Sequence, residues 1–356
     1  MKNSSVINEY RKNSRKKLLV IASICILYVA TIIIALLSGS ADYQLNDVFQ
    51  LITGNSDAFT EQILFQIRIP RILGAMLAGT ALAVSGAAIQ SLLRNPLASP
   101  FTLGISGAAA FGAALCIVFF NSTALPAGIS ESAIHPYLIS LSAFICSLAG
   151  VVLILALSRL KGATPEIIIL AGIIISSLFG AGISAMQYFA DTVQLSSIVF
   201  WTFGDLSRAH YDNLLILSFI VIPATIYFIL QSWNYKALQT GDEYAQSIGV
   251  RVKKVRMRGM IIASLVTAVV VSFYGIIAFV GLVVPHIIRR ITGDNEQYLI
   301  PVSALFGGLF LLASDTLARS IFSPVVMPVG ILTSFLGAPL FLFVLIKGMK
   351  KPVNYS

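Results

Sequence analysis

Apolar residues fall along this chain in long blocks separated by short polar turns. A membrane-crossing helix needs about 20 mostly apolar residues. On that rule the blocks predict ten spans, near 18–37, 68–93, 100–120, 137–158, 165–190, 212–232, 257–277, 278–292, 299–318 and 328–347. Gly275, Gly281 and Pro285 interrupt one long run, which is split in two so that the basic residues beyond it return to the side of the other basic turns. The stretch SSIVFWTFGDLS, within 191–212, is too short to span and predicts an interfacial helix. The expected fold class is an all-α integral membrane protein with ten transmembrane helices and both termini cytoplasmic. It divides into a basic tail at 1–17, a helical body at 18–347 and a second tail at 348–356. The first run has no small-residue cleavage site after it, so a retained helix is expected there.

One polar island breaks this pattern, ALQTGDEYAQSIGVRVKKVRMR from Ala237 to Arg258. It predicts two short helices broken at Gly249, within about 238–256. Asp242 and Glu243 come first, followed by Arg251, Lys253, Lys254, Arg256 and Arg258. Tyr244, Ala245 and Ile248 give the segment an apolar face to dock, which a plain connector lacks. The competing reading is a positively charged loop that only sets topology.

Composition supports the membrane assignment, since 57% of the 356 residues are hydrophobic and 11% charged, with a mean hydropathy of +0.89. The net charge of +9 is distributed by topology: with the amino terminus inside, 20 of the 24 Lys and Arg lie on the inner side, as the positive-inside rule requires. Nucleic acid is therefore not an expected partner. Cys25, Cys116 and Cys146 all sit in apolar runs and read as packing residues.

Arg68 and Arg71 are placed at the outer mouth of the second helix, one turn apart on a shared face. Cations are disfavoured both on that flank and at a helix amino terminus. This points to a repaying partner, either carboxylates of an external protein or an anionic substrate. Snorkelling to lipid phosphate, or pairing with the acidic loop holding Asp42, Asp47, Asp57 and Glu61, explains them as well. Asp315 and Arg319 lie four apart and are expected to pair along their helix. Small residues recur every fourth position at Ala75, Gly79, Ala83 and Ala87, and again at Gly104, Ala108 and Gly112, which predicts close helix packing. Thr164, Pro165 and Glu166 read as a helix start.

The sequence contains no G-x-x-x-x-G-K-[ST], G-x-S-x-G or H-E-x-x-H, and His135, His210 and His286 are scattered. No catalytic residue, cofactor or metal site is expected. Of the acidic residues, only Glu166 and Asp315 touch predicted spans, and at their ends. This weakens an ion-driven secondary transporter, the alternative reading, because such carriers bury ionisable groups in mid-membrane. Energy supplied from outside the chain would enter at the polar island.

The sequence resembles the permease subunits of ATP-binding-cassette importers for iron-siderophores, haem and cobalamin, the FecCD-type family. The resemblance rests on RIPRILGAMLAGTALAVSGAAIQ (68–90), RNPLASPFTLGISGAA (94–109), GDEYAQSIGV (241–250), IAFVGLVVPHIIR (277–289), ASDTLAR (313–319) and PVGILTSFLGAPLF (328–341). It implies a permease dimer around one central path, with a second permease chain that is identical or paralogous. It also implies two ATP-binding subunits per transporter, one of them docking on Gly241, Asp242, Glu243, Ala245, Ile248 and Gly249 of this chain, and an extracytoplasmic substrate-binding protein facing Arg68, Arg71 and Arg319. A cytoplasmic gate is implied at Gly162, Ala163 and Thr164. The implied cargo is a metal chelate, foremost an iron-siderophore, and the implied location is the bacterial plasma membrane. The chain departs from relatives at Gly293–Glu296, where many have Asp-His-Arg, and at Val326 and Met327, where many have a Glu before the Pro-x-Gly.

Overall fold

The computed structural model describes residues 2–38, 57–119, 131–160 and 164–348, and all the regular elements among them are helical. They are α1 (Lys2–Leu37), α2 (Ala58–Leu93), α3 (Ile105–Phe119), α4 (Glu131–Leu160), α5 (Pro165–Phe189), α6 (Thr192–Thr202) and α7 (Tyr211–Leu230), then α8 (Ser232–Thr240), α9 (Asp242–Ser247), α10 (Val252–Tyr274), α11 (Val280–Thr292), α12 (Glu296–Ser320) and α13 (Val329–Gly348). Among the described residues, 7 helices are long and apolar enough to cross a membrane, within α1, α2, α4, α5, α7, α10 and α12. Every one of the ten predicted runs carries a helix, but three fall short of that standard. α3 has only 15 residues because the chain before it forms turns through Gly104, whose φ is +73°. α11 has 13, and in α13, 20 residues long, the described side chains that count toward it run from Val329 to Phe343.

Two boundaries differ from the sequence reading. α1 is helical from Lys2, so the basic tail and the first span share one helix. α2 begins ten residues before Arg68, at Ala58. Its first part passes through a π turn, Leu64–Arg68, in which the Ile69 N–H reaches back to the Leu64 carbonyl. Pro70 is the physical reason: it has no N–H to give, and its ring crowds the carbonyl four residues earlier, so the helix widens instead of ending.

α2 is the axis of the bundle. From Ala81 to Leu93 every residue is buried, enclosed chiefly by α12, α10, α11 and α7. The expected small-residue stripe is what admits these neighbours. A Cβ on Gly79 would stand 2.2 Å from the Gly307 carbonyl oxygen of α12, and beside it the Thr80 hydroxyl donates to the Ala304 carbonyl at 2.9 Å. Gly79→Val is therefore expected to cost about 1–3 kcal/mol through overpacking, read as a lower Tm of the detergent-solubilised protein. The periphery is apolar, with Leu18, Ile26, Leu178, Leu215 and Phe219 exposed, which suits helices that meet lipid on one side.

α6 carries a reciprocal capping box at its start. The Asp191 side chain accepts from the Val193 and Gln194 N–H groups, both at 2.8 Å, while Gln194 Oε1 accepts from the Asp191 N–H. The helix buries Ile198 and Trp201 and ends at Gly204, pressed against the Ile276 carbonyl. Between α6, the 275–279 break and α13 lies an apolar cavity of about 520 Å³, lined by Phe203, Ile276, Ala278, Ile331 and Phe335 among others.

Candidate functional site

Two charge clusters occupy opposite ends of the bundle. At the first, the polar island has the expected break at Gly249, between α9 and α10, and a second break at Gly241, between α8 and α9, that the sequence reading did not place. Gly241 has φ +131° and ψ 152°, a region open to glycine alone, whereas Gly249 (φ +86°) ends α9 before the chain enters α10. α9 is pinned from within. Asp242 receives Arg256 Nη2 at 2.9 Å and lies 3.4 Å from Arg94 Nη2, while Arg256 Nε donates to the Leu92 carbonyl at 3.1 Å. Arg256 is buried, but Arg251, Lys253, Lys254 and Arg258 are exposed.

The apolar face expected on this helix divides. Ala245 is fully buried and packs inward, whereas Tyr244 and Ile248, four residues apart, are 53% and 54% exposed, with Glu243 exposed beside them. The six-residue helix is thus held by an ion pair on one side and presents an apolar edge on the other.

Beside the island lies a carboxylate that sequence reasoning missed. Glu296 starts α12 and is fully buried. Its Oε1 accepts from Gln239 Nε2 of α8 and from Arg289 Nη1 of α11 at 3.3 Å. Arg289 also reaches Asp294 at 3.0 Å. The only sequence signal was Asn295, whose side chain accepts from the Gln297 N–H as a helix cap. A carboxylate in a helix's first turn usually stays solvated there. Thr164 occupies the N-cap position of α5, with an extended backbone and no side-chain capping bond. Gly162 and Ala163 lie outside the described residues.

At the other end Arg68, Arg71 and Arg319 come together, all less than 8% exposed. Arg71 and Arg319 converge on fully buried Asp315. Arg71 Nε and Nη2 donate at 2.8–3.1 Å and Arg319 Nε at 3.2 Å, the expected pairing along the helix. Arg68 and Arg319 donate to carbonyls at the end of α1: Arg68 to Leu36, and Arg319 to Ser38 at 3.1 Å and Ala35 at 3.4 Å. Placing Arg68 and Arg71 at a helix amino terminus is thus corrected. They sit within α2, and Arg68 meets the negative carboxyl end of α1, where a cation is favoured. Asp205 stands 3.8 Å from Arg71 and close to Arg208, whose guanidinium burial pushes below its usual range while Asp205 opposes the shift.

Residues 26–347 match the FecCD transport family. The chain belongs to that family. It is 46% identical over 96% of its length to a protein of Methanocaldococcus jannaschii named as an ABC transporter permease, covering 98% of that protein. It is 40% identical over 83% of its length to the hemin transport system permease HmuU of Yersinia pestis, covering 86% of it. A third relative, the iron(3+)-hydroxamate import system permease FhuG of Bacillus subtilis, is 34% identical over 95% of this chain and 99% of its own. A solved structure described as an inward-facing metal-chelate type ABC transporter superposes with a TM-score of 0.81 at 31% identity, over 92% of this chain and 99% of that one. The chain is accordingly a multi-pass membrane permease subunit, a transport component in which ATP hydrolysis belongs to a separate subunit. The ion-driven alternative is not favoured.

Proposed function

We propose that this FecCD-family permease imports an iron chelate, foremost an iron-siderophore, along a path formed with a second permease chain. The observation that carries the reading is α9, anchored by Asp242 and offering Glu243, Tyr244 and Ile248 to a partner. One ATP-binding subunit, of two per transporter, grips this helix, with Gly241 and Gly249 as its hinges and Ala245 as its seat. Nucleotide binding rocks the bundle between two access states. The island end faces the cytoplasm together with both termini and with a gate formed at Gly162, Ala163 and Thr164. The chain makes ten membrane passages, α3 and α11 being the short ones, and the location is the bacterial plasma membrane.

At the outer end an extracytoplasmic binding protein delivers cargo to Arg68, Arg71 and Arg319. Arg71 and Arg319 bind Asp315, so reversing the sign of either would disturb the bundle as well as the docking. Arg68→Gln leaves the Asp315 cluster intact and is the cleaner test. It is expected to weaken capture of the loaded binding protein about tenfold, as loss of one charge-assisted contact does. Unchanged affinity in a pull-down titration would return Arg68 to holding α1.

Similarity to a hydroxamate permease supports the siderophore, and similarity to a hemin permease favours haem as the second reading. The test is purification of the chain with its associates from iron-starved host membranes, followed by uptake of radioactive iron-siderophore or hemin into vesicles with ATP inside. A copurifying ATPase with siderophore uptake is expected. Transport by the chain alone, driven by an ion gradient, would refute the importer.

A further inference from the structure

α11 is short, lies between the island and the apolar cavity, and is held at three points that no family role assigned above uses. At its carboxyl end the buried Glu296 Oε1 receives both Gln239 of α8 and Arg289 of α11, so one oxygen joins the island to this helix. Near its amino end α11 crosses α2 with backbones touching: a Cβ on Gly86 would lie 1.8 Å from the Gly281 oxygen. Pro285 has no N–H to offer that carbonyl, and Gln90 Nε2 donates instead to the Leu282 carbonyl at 3.3 Å and more loosely to Gly281 at 3.5 Å. The third point is Phe279, which precedes the helix in the left-handed region (φ +66°, ψ −25°), a costly conformation for a bulky side chain. It is pressed on α13, where a Cβ on Gly337 would fall 2.4 Å from the Phe279 Cβ and 2.6 Å from its Cγ. Ile276 and Ala278 before Phe279, and Phe335 and Ala338 around Gly337, line the 520 Å³ cavity.

We propose that α11 is the lever by which movement of the island reaches the apolar cavity, with Glu296 the positioning residue at its driven end and Phe279 on Gly337 its working end. The pivot is the Gly86–Gly281 contact. From there to Arg289 the helix gives an arm of about 12 Å at 1.5 Å per residue, and on the other side only Val280 separates the pivot from Phe279. Helix, fixed crossing and strained terminus form one contiguous path from the island to the cavity, and Gln90, bonded to the Leu282 carbonyl, braces the turn that Pro285 leaves without its helical bond. The proposal rests on the importer reading, since it needs a partner that moves α8 and α9.

The test uses the complex of this chain with its ATPase, reconstituted in liposomes with the binding protein, and compares Glu296→Gln and Gly337→Ala with wild type. Glu296→Gln keeps the side chain's size and leaves Arg289 its Asp294 partner, while Gly337→Ala pushes on Phe279, whose atoms are the nearest to the added Cβ. Both are expected to lower cargo imported per ATP about tenfold while ATP hydrolysis stays within about twofold, an effect the size of an ordinary coupling free energy. Wild-type import per ATP in either variant overturns the lever. So does a parallel fall of import, hydrolysis and Tm, which would make the contacts merely structural. A wild-type chain that copurifies with no ATPase overturns the importer reading and the lever with it. An ATPase that copurifies and remains fully coupled in the variants overturns the lever alone.

Discussion

Asp315→Ala is expected to destabilise the protein by about 3–5 kcal/mol, the usual result of removing one partner from a buried ionic cluster. The carboxylate is fully buried and is the point on which two nearly buried guanidiniums, those of Arg71 and Arg319, converge. Without it those two charges face each other, and among the described residues Asp205, 3.8 Å from Arg71, is the carboxylate left to offset them. The damage extends to α1. Arg319 can hold the Ala35 and Ser38 carbonyls only from the position that Asp315 gives it, and apart from such bonds α1 rests on the bundle through buried Ile24 and Ala35 and partly buried Val20, Ile21, Tyr28, Ile32 and Leu36. The measurement is protein accumulation in membranes together with Tm in detergent, against a triple variant Arg71→Met, Asp315→Leu, Arg319→Met. Removing every charge at once leaves none unpaired, so the triple variant should recover most of the loss. A Tm for Asp315→Ala within a degree or two of wild type would show the cluster to be solvated in the membrane.

The membrane fold was legible because apolar blocks of span length leave little choice of element, and the island stood out because it interrupts them. What the sequence hid is tertiary. The partner of Arg71 lies 244 residues away, so an arginine that breaks two local rules looked like a site in search of an outside ligand. The early start of α2 was hidden by Pro70, which reads as a helix opening but here sits behind a π turn. Within the island both breaks are glycines, and a six-residue helix is too short for periodicity to show the second of them, at Gly241. Glu296 follows Gly293, Asp294 and Asn295 in a run that reads as a polar turn. Its burial is made by Gln239 and Arg289, from α8 and α11, closing over it, and nothing local encodes that.

Glu243→Arg is expected to abolish uptake while leaving the chain inserted and folded. Glu243 is exposed in the first turn of α9, the turn whose other acid, Asp242, does the anchoring through Arg256 and Arg94. Substituting an exposed residue with no anchoring role changes stability by no more than about 0.5 kcal/mol, so a loss of uptake there is a loss of something outside the chain. Reversing the sign adds a cation beside exposed Arg251, Lys253 and Lys254 and sets like charge against whatever surface the acid meets, a change that costs several kcal/mol across an interface. The partner ATPase should then fail to copurify, while Tm and membrane level match wild type. Asp242→Ala is the contrast: it frees Arg256 beside α9, so partner binding and Tm should fall together. Normal uptake by Glu243→Arg would remove α9 from the coupling path and leave the island as a loop that only sets topology.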